Sequence, residues 1–123
     1  MKTCIINLED YRTVNGSQKS RVFTGKDRGR EVRKKSHLDK LYAANDVIEI
    51  IIPDDIFSIT PSFLEEFIFN IIKKYGKDEV IAKLNFIGSY NITEPLYEAI
   101  DRIKLIKKPS AWNNIIRRLF GNI

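Results

Sequence analysis

Few side chains in this sequence have the chemistry for catalysis or metal binding. They are one histidine, His37, one cysteine, Cys4, the pair Asp54-Asp55, and the hydroxyls Thr60 and Ser62 ahead of Glu65 and Glu66. A metal centre brings several His, Cys or carboxylate ligands together, and one His with one Cys does not supply an ordinary zinc site. His37 lies among Lys34, Lys35, Asp39 and Lys40, the setting of a solvated surface histidine. Cys4 and His37 have the residue types of a nucleophilic pair, but Cys4 falls inside an apolar run, where thiols are buried and inert. Asp54 and Asp55 follow a strand-like run, a place where carboxylates bind magnesium; two solvated acids in a turn are the commoner outcome. The chain carries no glycine-rich dinucleotide fingerprint, phosphate loop or nucleophile elbow. These residues assemble no catalytic constellation, so a non-enzymatic chain with no cofactor and no metal is expected.

Thr60 and Ser62 are the most informative polar pair. They flank Pro61 at the start of a helical pattern, a position where proline is tolerated. A phosphate on Ser62 would sit where free N–H groups and the helix dipole favour anions. Against that, Pro61 removes a donor, and Glu65 and Glu66 would repel the charge. The plainer reading is a cap: Thr60 or Ser62 as N-cap, Ser62 forming a capping box with Glu65.

The elements that must hold these residues follow from periodicity. Thr3 to Leu8 reads as a strand with Cys4, Ile6 and Leu8 on one face. Asn15-Gly16 marks a turn, as in a hairpin. Thr24 can cap a helix from about Gly25 to Tyr42, whose Gly25, Gly29, Val32 and Ser36 form a narrow small-residue face able to lie close to a sheet. Val47 to Ile52 is a short β-branched run, expected to be a central strand covered on both faces. The helix after Pro61 carries the stripe Leu64, Phe67, Ile68, Ile71, Ile72 and Tyr75 and stops at Gly76. Another turn of helix over Asp78–Lys83, a strand at Leu84–Ile87 and a helix from Thr93-Glu94-Pro95 follow, the last with Leu96, Ile100, Ile103 and Ile106 on one stripe. Lys107–Ser110 interrupts it, and a short amphipathic helix presenting Trp112, Ile115, Ile116, Leu119 and Phe120 is expected after the break. Alternating strands and helices make an α/β layered domain.

Composition agrees. The chain has 123 residues, 43% hydrophobic and 30% charged, as expected for a single globular domain. No apolar run nears the roughly 20 residues that span a bilayer, and the first residues, MKTCIINLEDY, turn acidic too soon for a signal segment. A lone cysteine fits a reducing compartment, so a cytoplasmic location is expected. Charge is uneven. Residues 12 to 40 hold ten basic side chains against three acids, and residues 45 to 79 hold eight acids against three lysines. Such a distribution either steers an oppositely patterned partner or complements itself across the fold.

The stretch VIEIIIPDDIFSITPSFLEEFIFNIIKKYG joins an apolar strand, a short connection, the helix start Ile59-x-x-Ser62-Phe63-x-x-Glu66 and an amphipathic helix. It resembles the bacterial STAS-like domain family, related in fold to the anti-sigma-factor antagonist (STAS) domains. FTGKDRGREVRKK upstream is similar to that family's glycine- and arginine-bearing first helix, and EVIAKLNFIG continues the likeness downstream. The resemblance covers roughly residues 1 to 106, leaving 107–123 as a C-terminal helical extension. It implies a mixed sheet of about four strands packed by helices, and an exposed ridge from Thr60 to Phe63. It further implies a regulatory, protein-binding role, docking near residues 60–69, with a partner of the histidine-kinase-type ATPase or anti-sigma-like class. STAS antagonists carry a phosphorylated Ser or Thr at this junction. Thr60 and Ser62 fall nearest that position, although the antagonists' Asp-Ser-Ser/Thr-Gly motif is missing here.

Three surfaces are candidates for contact. At the junction these are Thr60, Ser62, Phe63, Glu66 and Phe69; Phe69 falls off the apolar stripe among Glu65, Glu66 and Lys73 and is either an interface anchor or covered by a neighbouring segment. The C-terminal helix either packs back on the domain, the favoured reading, or pairs with a second copy or partner, or lies on an anionic membrane. Lys26, Arg28, Arg30 and Arg33 are candidate anion or nucleic-acid contacts, the basis of an alternative reading as a nucleic-acid-associated module; no stacking aromatics interleave with them.

Overall fold

Strict alternation makes the first strand. β1, Thr3–Asn7, turns Ile6 inward and Thr3, Ile5 and Asn7 outward in the computed structural model, which describes residues 1–105. Asn7 then caps a single 3-10 turn, Leu8–Tyr11, its side chain accepting from the Glu9 N–H at 3.0 Å. The Asn15-Gly16 signal is a hairpin, β2 Val14–Asn15 against β3 Gln18–Lys19. β4, Val22–Phe23, leads into α1, Lys26–Ser36.

The helix expected from Gly25 to Tyr42 is two helices. His37 has φ 57° and ψ 36°, and its N–H closes the last turn of α1 on the Arg33 and Lys34 carbonyls. A left-handed residue ends a right-handed helix, and α2, Leu38–Ala44, leaves in a new direction that buries Leu38 and Tyr42. The expected Thr24 cap is also corrected. Gly25 is the N-cap, with φ 87° and no side-chain cap bond, because that positive φ turns the chain into the helix where Thr24 could not.

β5, Val47–Ile51, is the middle strand of a parallel sheet in the order β1-β5-β7, where β7 is Leu84–Ile87. β4 pairs with β6, Ser58–Ile59, in a separate two-residue parallel ladder. The expected single sheet of about four strands is therefore three parallel strands plus two small pairs among the described residues. β4 and β6 satisfy each other, through Phe57 N–H to Arg21 carbonyl and Thr60 N–H to Phe23 carbonyl, both at 3.0 Å, and so add nothing to the main sheet.

The stripe after Pro61 folds as predicted. α3, Pro61–Phe67, and α4, Phe69–Tyr75, are separated by a bend at Ile68, across which the ladder continues from Ile68 to Leu64 and from Ile72 to Ile68. Leu64, Phe67, Ile68, Ile71 and Ile72 are buried. Gly76 (φ 88°) starts α5, Lys77–Lys83. A sixth helix, α6, runs over residues 93–105, burying Ala99, Ile100 and Ile103. The expected extension 107–123 lies outside the described residues. No helix among the described residues is long and apolar enough to cross a membrane.

The helices pack on one face of the sheet. On β5, Ile48 and Ile50 are fully buried, whereas Val47, Glu49 and Ile51 are only half covered. The expectation of a strand sealed on both faces is thus corrected: among the described residues, only one face has a layer of helices over it.

Candidate docking site where the third helix begins

The parallel ladder of β4 and β6 sets this site. Two strands that end side by side send out two helices side by side, α1 and α3. Thr60 locks the two starts together, its Oγ1 accepting from the Phe63 N–H and from the Gly25 N–H, each at 3.3 Å. Thr60 is thus the N-cap of α3. Ser62 is not, and the expected Ser62–Glu65 capping box does not form; Glu65 turns away to Lys26.

The small-residue face of α1 has its close neighbour, but that neighbour is α3 and not a sheet. A methyl group built on Gly29 would lie 3.0 Å from the carbonyl carbon of Phe63 and 3.2 Å from Cβ of Glu66. Only glycine lets the helices approach this far. The approach brings basic α1 against acidic α3. Lys26 Nζ meets Glu65 Oε2 at 2.9 Å, and the Glu65 side chain is only 4% exposed. Arg30 and Arg33 converge on the Glu66 carboxylate at 3.2 and 3.5 Å, and Arg33 also donates to the Glu66 carbonyl. Arg28 is held by Glu31 and the Tyr11 carbonyl. All four cations considered as nucleic-acid contacts therefore have partners within the chain. For these groups the uneven charge is self-complementation.

From the other side α6 closes in. Arg102 Nη1 donates to Ser62 Oγ at 3.2 Å while its Nη2 binds Glu98 Oε1 at 3.0 Å. Tyr90 OH donates to the Ile59 carbonyl at 3.5 Å. The expected ridge from Thr60 to Phe63 is accordingly a seam, half covered by α1 and α6. Thr60, Pro61 and Ser62 are half-exposed, and Phe63 is fully buried, tilted against Phe23 and stacked on Phe67 with ring centroids 5.3 and 5.7 Å away. Phe63 is core, because it is the residue on which α1 presses. Glu66 is half-buried under its two arginines. Phe69 is half-buried against the core, with Lys73 Nζ 5.0 Å above its ring.

Sequence reasoning missed Arg102. Its pairing with Glu98 at i,i+4 was readable; its contact with Ser62, forty residues away in the chain, was not. Arg12 was missed as well. Its side chain is 4% exposed and bridges Asp55, at 2.7 and 2.9 Å, and Glu9, at 3.0 Å; these bonds pull the Asp55 carboxyl below its ordinary range, and Lys19 together with Arg12 does the same for Glu9. Asp55 so serves a structural ion pair. His37 is exposed, and Cys4 lies half-buried in β1. No group of three or more His, Cys, Asp or Glu that could hold a metal occurs among the described residues.

A family model described as a STAS-like domain of unknown function matches residues 29–93, more than half of the chain, from the Gly29 contact on α1 to the first residue of α6. No curated protein and no solved structure matches the chain.

Proposed function

Because this chain belongs to the family of STAS-like domains of unknown function, we propose that it is a non-catalytic regulatory module that binds a protein partner at the seam where α3 begins. The observation that carries the reading is the pairing of Ser62 with Arg102 on a half-exposed surface. Thr60 is consumed by capping, which leaves Ser62 as the hydroxyl available to an incoming group. The acids expected to repel a phosphate at Ser62 are already answered, Glu65 by Lys26 and Glu66 by Arg30 and Arg33. A phosphoryl group on Ser62 would take Arg102 as a charge-assisted partner. Likeness to STAS antagonists points to a partner of the histidine-kinase-type ATPase or anti-sigma-like class, meeting Pro61, Ser62, Arg102 and the flank of Phe69.

Intact-mass analysis of protein from its native cell is the direct test of the phosphorylated form. Photo-crosslinking from Ser62 in that cell tests the docking face, and Arg102→Glu should abolish the crosslinked species while the far-ultraviolet circular dichroism stays unchanged. The same crosslinks in wild type and Arg102→Glu would overturn the assignment of this face. The alternative, nucleic-acid binding, has less to stand on, since Lys26, Arg28, Arg30 and Arg33 are engaged within the chain.

A further inference from the structure

Parallel sheets are ordinarily covered on both faces, yet helices cover this one on a single face among the described residues. The registers Ile5↔Glu49 and Glu49↔Asn85 put the other face in one plane: Thr3, Ile5 and Asn7, then Val47, Glu49 and Ile51, then Asn85 and Ile87. Ile5 is 61% exposed and Ile87 40%. Glu49, at the centre, is the only charged side chain on this face among the described residues. We propose that the C-terminal segment, residues 107–123, covers this open face within the same molecule, adding the missing outer layer.

Three observations select that occupant. The segment holds Lys107, Lys108, Arg117 and Arg118 and no acid, beside the apolar set Trp112, Ile115, Ile116, Leu119 and Phe120; the face is apolar with one central carboxylate, so both patterns match. The other apolar recess near the end of α6 is lined by Ile72 and Ile103 but rimmed by Lys73, Lys77 and Lys104, which repel a basic segment. A second copy stacked face to face would bring two Glu49 carboxylates toward each other in a desolvated centre, where unpaired like charges repel strongly. Reach is sufficient. Residues 106–111 span up to about 20 Å when extended, which matches the two layer spacings of about 10 Å each from the helix layer through the sheet to its open face.

Trp112 is the only tryptophan, so its fluorescence reads the segment alone. In the full-length monomer its emission should be blue-shifted relative to free tryptophan and protected from iodide quenching, independently of protein concentration. Ile5→Lys combined with Ile87→Lys places two cations on the already exposed positions. This variant should red-shift the emission and raise iodide quenching several-fold, with the far-ultraviolet circular dichroism retained. Glu49→Gln should give a smaller change in the same direction. Solvent-like emission in the wild type, or a buried signal untouched by the double substitution, overturns the proposal. So does protection that appears only with concentration, which would mean a second copy, or only with anionic vesicles, which would mean a membrane surface.

Discussion

Gly29 on α1 and Phe63 on α3 meet backbone to backbone, with no space between them for a methyl group. That contact decides how far the two helices close, and so whether Arg30 and Arg33 reach Glu66 and how much of Ser62 stays open. Gly29→Ala should therefore destabilise the fold even though alanine favours helices. The gain in helix propensity is about 1 kcal/mol, and overpacking against backbone costs about 1–3 kcal/mol. Urea denaturation should give a net loss of up to about 2 kcal/mol; a more stable variant would show that α1 can slide.

Lys26→Met removes the cation facing the buried Glu65 carboxylate. Leaving a buried polar group without its partner costs about 1–3 kcal/mol, and a charge costs more; the exposed lysine is screened by water, which brings this case back within that range. Glu65→Gln in the Lys26→Met background should recover part of the loss. A double-mutant cycle measures the coupling, and a coupling near zero would contradict it.

Acid should weaken the corner held by Arg12. Glu9 and Asp55 titrate below their ordinary range, Glu9 chiefly through hydrogen bonds from Lys19 and Arg12 and Asp55 chiefly through those from Arg12. Carboxyls depressed by folding stabilise the native state above their unfolded pKa, and that contribution fades as pH falls through the folded values. Stability should therefore decline below about pH 4, and Arg12→Met should flatten this acid limb while lowering stability at neutral pH. Equal slopes in both proteins would refute the linkage.

At high pH, Tyr42 should resist ionisation beyond the ordinary phenol range. Burial, reinforced by its 2.8 Å hydrogen bond to Glu79, raises its pKa well above the ordinary phenol value. Spectrophotometric titration of wild type against Tyr42→Phe should show the missing phenolate at the alkaline end of the curve. A loss from the early part would be inconsistent with this burial.

Phe69→Ala is expected to lower stability by about 2 kcal/mol, less than a fully buried phenylalanine would, because the ring packs on the core and yet stays half-exposed beneath Lys73. Denaturation measures that part. Full stability in the variant would make the ring a surface group available wholly to a partner.

What the sequence by itself determined was local or periodic. The strands at Thr3, Val47 and Leu84, the Asn15-Gly16 hairpin, a hydroxyl cap at Thr60 or Ser62 beside Pro61, the buried stripe of α3 and α4, and the family resemblance all rest on spacings within a few residues or on a contiguous motif. Such signals survive in one dimension because burial repeats at 2 or 3.6 residues. Tertiary structure decided the rest. It chose α3 as the neighbour of Gly29, consumed the cations of α1 on Glu65 and Glu66, buried Phe63, brought Arg102 to Ser62, and left one face of β5 open. Each of these joins residues far apart in the chain, and an ion pair or a helix contact has no period from which it can be read. The single letter His37 carried the break between α1 and α2 unseen, because only packing of Leu38 and Tyr42 into the core compensates a left-handed residue there.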